Sequence, residues 1–167
     1  MKKILAIIIL CFFYFHSKAQ QTLAIKNGAW SPSVTTIGEA GNDYISTTIQ
    51  SSTTQTQIDL QVVQIAGLNH YTVYIRRTDS GTNWNTAGLQ IWVRRTSDGS
   101  GAGAKSTTIG GTTYQQITTS DLYFFEGNND SGNLRTNIGI QYQITGVSVT
   151  VPVATYSTTL TYTLIDD

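Results

Sequence analysis

Side chains that could carry acid–base chemistry are sparse in this sequence. It has two histidines, His16 and His70, and only His70 lies beyond the first 19 residues. His70 follows Gly67-Leu68-Asn69 and reads as a structural residue where a loop enters a strand. Four carboxylates, Asp59, Asp79, Asp121 and Glu126, are present for the pair that glycoside hydrolysis needs, but their spacing selects no two of them. Serine is abundant, yet no nucleophile elbow or zinc motif accompanies it. This inventory argues against an enzyme, and no cofactor is expected.

Two segments imitate ligand-binding loops. Gly99-Ser100-Gly101-Ala102-Gly103-Ala104-Lys105-Ser106 nearly matches a phosphate-cradling loop, with Ala104 where that pattern wants glycine. Such a loop aims N–H groups and a helix start at phosphate, and Thr107-Thr108-Ile109-Gly110-Gly111 is a poor helix start, so a hairpin loop is expected. The stretch Glu126 to Asn133 gathers oxygen-bearing side chains at close spacing, as a hard cation requires, with Glu126, Asn128 and Asp130 as candidate calcium ligands. It holds two carboxylates and lacks the terminal bidentate Glu of helix-loop-helix sites, so an ordinary Asn/Gly turn stands beside the calcium reading. Asn129-Asp130-Ser131 is also a glycosylation sequon, relevant only in a eukaryotic secretory route.

A third constellation emerges once strands are assumed. If Val73 and Ile75 point inward, Tyr74 and Arg76 point outward; if Leu89, Ile91 and Val93 point inward, Trp92 and Arg94 point outward. A tight connection would set Tyr74 opposite Trp92. Exposed Tyr, Trp and Arg together are typical of contact surfaces, and flat aromatic faces also stack on sugar rings. The other reading is a covered face, with the Trp84 segment packed over it. The motif Val73-Tyr74-Ile75-Arg76-Arg77-Thr78 recurs as Ile91-Trp92-Val93-Arg94-Arg95-Thr96. Successive antiparallel strands leave a sheet at opposite ends, so this echo reads as a strand-exit device with its Arg pairs far apart.

The elements that must position these residues are strands. From Thr136 to Ile144, Ile138, Ile140, Tyr142 and Ile144 share one face and Asn137, Gly139, Gln141 and Gln143 the other. The same period holds around Ile58 and Leu60, Val73 and Ile75, Ile91 and Val93, and Val147 to Val151. It returns in a last strand with Tyr156, Leu160, Tyr162 and Leu164 on one side. Turn clusters separate these runs, the Val62-Val63 pair suggests a bulge, and Pro152 belongs at a strand start or edge. No window has helical periodicity with caps. Eight or nine strands with one apolar face each bury those faces against one another, which predicts an all-β antiparallel β-sandwich of immunoglobulin-like type, with a closed barrel as the alternative.

Lys2 and Lys3 precede an apolar run from Ile4 to Phe15, and Ser17-Lys18-Ala19 offers small residues at a signal-peptidase site. Residues 1–19 are expected to be a signal peptide and 20–167 a single domain that is extracytoplasmic, secreted or at the cell surface. About a dozen apolar residues fall short of the roughly 20 needed to span a bilayer, so no transmembrane segment is expected in the mature chain. The one cysteine, Cys11, lies in the apolar run. Bulky Leu10 before it disfavours lipoprotein processing, and the remainder has no thiol for disulfides or metal. Removing three of the ten basic residues leaves seven against ten acidic ones, a net charge of −3. That balance gives no electrostatic reason to bind nucleic acid or anionic membrane. Charged residues make up 12%, about half the usual share, so Thr, Ser, Gln and Asn must supply the polar surface.

Pro152 to Leu164, where a small residue leads through Tyr156 into alternating Thr and apolar positions, resembles the closing strand of secreted fimbrial subunits of the spore-coat-U-like and chaperone-usher pilin group. The resemblance covers about a dozen residues. It implies an incomplete immunoglobulin-like fold completed by an N-terminal strand from the next subunit. The sequence departs from that pattern in having no cysteine pair and, between Gln20 and Trp30, only Leu23 and Ile25 as alternating apolar residues. The expectation is a non-enzymatic structural or adhesive subunit, of which a fimbrial subunit is one form, with other surface subunits or itself as partner. The alternative is a carbohydrate-binding module that meets glycans through Trp92, Tyr74, Arg76 and Arg94.

Overall fold

The computed structural model describes residues 22–34, 47–61, 68–81, 84, 86–101, 103–130 and 134–166. The expected signal peptide and the Val62-Val63 irregularity lie outside them.

One strand organises the larger sheet. β10 (Leu134–Thr145) buries Ile138, Ile140, Tyr142 and Ile144 on its inner face, and both of its edges are filled by pairs of shorter strands. On one edge β3 (Thr56–Gln61) pairs over Leu134 to Ile140 and β2 (Thr48–Gln50) over Gln143 to Thr145. On the other, β6 (Ser100–Gly101) pairs at Arg135 and Thr136, and β5 (Gln90–Arg95) from Ile140 to Thr145. β1 (Thr22–Lys26) extends the sheet beyond β3, and β8 (Gln115–Gln116) beyond β5. The second sheet runs β11 (Tyr156–Asp166), β4 (Leu68–Gly81), β9 (Leu122–Asp130), β7 (Thr107–Ile109). Every pairing is antiparallel.

The two sheets share one apolar interior. Ile58, Leu60, Ile91, Val93, Ile138 and Ile140 from the first meet Tyr71, Val73, Ile75, Phe124 and Phe125 from the second. Full burial of each aliphatic side chain contributes about 1.5–3 kcal/mol. Phe124 and Phe125 are consecutive yet both buried, which strict alternation forbids. A bulge resolves the conflict: Val73 pairs with Phe125 and Tyr74 with Tyr123, leaving Phe124 as the extra residue. A second irregularity lies between Arg135 and Ile138, where Asn137 takes a positive φ of 58°.

The antiparallel two-sheet sandwich is the architecture that the alternation predicts, and the strand order establishes no more specific type. Among the described residues there are eleven strands instead of eight or nine, the surplus being pieces of two or three residues that fill gaps along β10, β5 and β9. Residues Val147 to Val151 form no strand. Gly146, at φ 80°, ends β10, and a turn closes with Val151 N–H donating to Ser148 O at 3.0 Å. Gly127 to Asp130, in the stretch expected to be an Asn/Gly turn, belong to β9. The expected hairpin between residues 71 and 95 does not form either: β4 and β5 lie in different sheets, and the chain crosses from one to the other past the buried Trp84 and Leu89.

Candidate functional site

That crossover separates the four predicted contact residues. Tyr74 pairs with Thr163 and Tyr123 in the four-stranded sheet, whereas Trp92 pairs with Gln143 and Gln116 in the seven-stranded one. They face away from each other on opposite sides of the sandwich. Tyr74 meets Tyr123 edge-on, with ring centroids 6.3 Å apart at 86°. Arg76 stands 3.8 Å from the Asp121 carboxylate, both side chains about half exposed, an ion pair worth about 0–1 kcal/mol. Trp92 donates from Nε1 to Thr145 Oγ1 at 3.0 Å. Arg94 donates to Gln141 Oε1 at 2.8 Å, and its guanidinium lies 4.8 Å from the centre of the Tyr114 ring. Trp84 covers neither pair. It is buried, donates to Ser157 O at 3.3 Å and meets Tyr156 edge-on.

The second arginine of each echoed motif turns inward. Arg77 and Arg95 are buried because they continue the inner faces of Val73-Ile75 and Ile91-Val93. Arg95 donates to Gly110 O at 2.9 Å, pairs with the Asp98 carboxylate and lies over the Phe125 ring. Arg135, also buried, donates to Asp98 O at 2.8 Å and to Asn129 Oδ1 at 3.4 Å. Desolvation holds the Arg95 guanidinium below its ordinary range, with repulsion from Arg135 adding to it. Burial pushes the neighbouring Tyr71 phenol upward against the pull of both arginines. The buried Arg95 and Arg135 guanidinium groups satisfy carbonyl oxygens at one end of the core.

The candidate calcium residues lie in β9. Glu126 and Asn128 project from its outer face beside His70 and Thr107, around a depression of about 330 Å³. Asn128 Oδ1 accepts from Thr107 N–H at 2.9 Å, which occupies a would-be ligand oxygen, and the Asp130 side chain lies outside the described residues. Among the described residues no three His, Cys, Asp or Glu side chains gather as a metal site. The phosphate-loop-like segment contains β6 and runs into β7, so no helix N-terminus follows Lys105.

A larger concavity has no signal in the sequence. An apolar groove of about 960 Å³ opens between the sheets, walled by Ile49, Ile91 and Ile144 on one side and Tyr156, Leu160 and Tyr162 of β11 on the other. Trp30 stacks on Tyr142 within it, centroids 6.1 Å apart at 21°. Tyr156, Leu160, Tyr162 and Leu164 face the core but stay half-buried. β11 pairs on one edge with β4 and has no strand partner on the other among the described residues. Alternation in β11 was readable from the sequence; the groove depends on where the first sheet stops, which sequence periodicity does not encode.

No known protein family, curated protein or solved structure matches the chain. No helix among the described residues is long and apolar enough to cross a membrane.

Proposed function

We propose that this protein is a secreted or cell-surface, non-enzymatic β-sandwich that acts by contact as a structural or adhesive subunit, in the manner of a fimbrial subunit. The groove beside the edge of β11 that has no strand partner among the described residues carries this reading. An unpaired strand edge presents N–H and C=O groups that another strand will pair with. A segment laid in the groove would satisfy that edge and cover the apolar side of Leu160 and Tyr162 together, the strand-addition mode of association. The incoming strand belongs to another surface subunit or another copy. The N-terminal segment Leu23-Ala24-Ile25 is already the first strand of its own sandwich, paired with Leu60, Asp59 and Ile58.

Sedimentation of the protein lacking residues 1–19 tests the proposal. Concentration-dependent assembly that Leu160→Arg abolishes is the expected result. A strictly monomeric species, unchanged by Leu160→Arg or by deletion of residues 20–30, would count against it.

A further inference from the structure

We infer that the outer face of the seven-stranded sheet is a binding platform for a neutral oligosaccharide, centred on Trp92. The inference is independent of assembly through the groove. Register places Gln50, Gln143, Trp92 and Gln116 in one row across β2, β10, β5 and β8. Three strand spacings give the row a length of about 14 Å. Three of its members are primary amides, each with two N–H donors and a carbonyl acceptor. The fourth is an indole. Sugar hydroxyls donate and accept at once and sugar rings carry apolar C–H faces, so amides flanking an aromatic surface match both properties.

The row is held in place from beneath and beside. Gln50 Nε2 donates to Gln143 Oε1 at 3.1 Å, and the bond from Trp92 to Thr145 anchors the indole along β10. In the neighbouring row Gln141 accepts from Arg94 and donates to Ser51 O at 2.8 Å, while Arg94 rests on Tyr114. Gln50 and Gln116 are exposed, and Trp92 and Gln143 half-buried. The amides at the ends of the row therefore remain open to a ligand while its centre is fixed.

Charge selects the ligand class. Neither row contains a carboxylate, and its one cation, Arg94, is engaged by Gln141 and Tyr114. The acidic strand residue on this face, Asp59, lies on the β1–β3 flank, 2.6 Å from Lys26 Nζ. A cationic ligand finds no free counter-charge here and an anionic one finds only a guanidinium already in use. The opposite outer face has its own aromatic pair, Tyr74 and Tyr123, but sets it among Arg76, Asp121 and Glu126, a charged surface of different chemistry.

Titration calorimetry of the secreted chain against cellohexaose, xylohexaose, mannohexaose and chitohexaose, with an oligogalacturonate as acidic control, tests the assignment. At least one neutral hexaose is expected to bind. Gln116→Ala, which removes an exposed side chain, should weaken it by about tenfold; Trp92→Ala should abolish it, and Tyr74→Ala should leave it unchanged. Circular dichroism distinguishes lost binding from lost folding in Trp92→Ala, and Gln116→Ala stands without that variant. Failure of all four neutral hexaoses to bind overturns the inference. So does binding of the acidic control alone, affinity indifferent to Gln116→Ala, or loss of binding in Tyr74→Ala.

Discussion

The phenol oxygens of Tyr142 and Tyr162 lie 2.8 Å apart and bridge the two sheets, joining the central strand of one to an edge strand of the other. Tyr142 donates onward to Thr56 Oγ1 at 3.0 Å, and Thr56 donates to Asn27 O at 3.4 Å. Each hydroxyl has one proton to give, so the direction is fixed: Tyr162 donates to Tyr142. We expect Tyr162→Phe, which removes only the head of this relay, to cost about 1 kcal/mol in urea denaturation. Tyr142→Phe should cost more, because it strands the Tyr162 hydroxyl without its acceptor and deprives Thr56 of a donor. Equal losses in the two variants would contradict the relay.

The same phenols set an alkaline limit on stability. Desolvation raises the Tyr142 phenol, and raises Tyr162 well above the ordinary phenol range with repulsion from Tyr142 added. An acid raised in the folded state ionises first in the unfolded chain, which then binds fewer protons than the folded one. The contribution is therefore complete below the ordinary phenol value of about 10 and declines as pH rises toward the folded values. Denaturation midpoints should fall steeply above that point, and less steeply in the Tyr142→Phe, Tyr162→Phe double variant. A pH-independent midpoint between neutrality and strong alkali would refute this.

Two glycines with nearly the same φ should respond differently to alanine. Gly81 has φ 79° and open space where a Cβ would sit, so Gly81→Ala should cost only the left-handed backbone penalty of about 1–2 kcal/mol. Gly99 has φ 72°, and a Cβ there would collide with the Thr136 carbonyl oxygen and crowd Ile138. We expect Gly99→Ala to exceed Gly81→Ala by about 1–3 kcal/mol in thermal or urea unfolding, the scale of overpacking.

Arg95 tests how the core end is held. Its buried guanidinium serves the Gly110 carbonyl and the Asp98 carboxylate at once, a fork that lysine does not reproduce. Arg95→Lys should destabilise by about 1–3 kcal/mol. Asp98→Asn should cost less, because the Asp98 side chain is 63% exposed and solvent already screens that half of the pair.

Periodicity in the sequence made the layers legible. The inward Ile138, Ile140, Tyr142 and Ile144 of β10 and the outward Tyr74, Arg76, Trp92 and Arg94 all follow from a period of two. Partnership was not legible: Trp92 meets Gln143 and Gln116 only because β5 lies in the other sheet from β4, and a crossover leaves the same alternation as a hairpin. The Gln50-Gln143-Trp92-Gln116 row has members from four strands, and no local window contains two of them in register. Gln141 shows a further limit. It occupies the solvent side of β10 by parity, yet it is buried because Ser51 and Arg94 close over it.

Leu160 distinguishes a groove that awaits a partner from an unfilled seam in the core. Ile140 is fully buried between the sheets, and Ile140→Ala should cost about 2–5 kcal/mol. Leu160 faces the same interior but remains half-buried at the groove wall, so Leu160→Ala in the isolated domain forfeits only the contacts already made, about 1–2 kcal/mol by area removed from water. In the assembled form the ranking should change. A strand seated in the groove would complete the burial of Leu160, and the variant's penalty should then approach that of Ile140→Ala. Urea denaturation of both variants at low and high protein concentration reads this out. A Leu160→Ala penalty that stays constant across the range in which the wild-type protein assembles would mean that the groove is not where the contact forms.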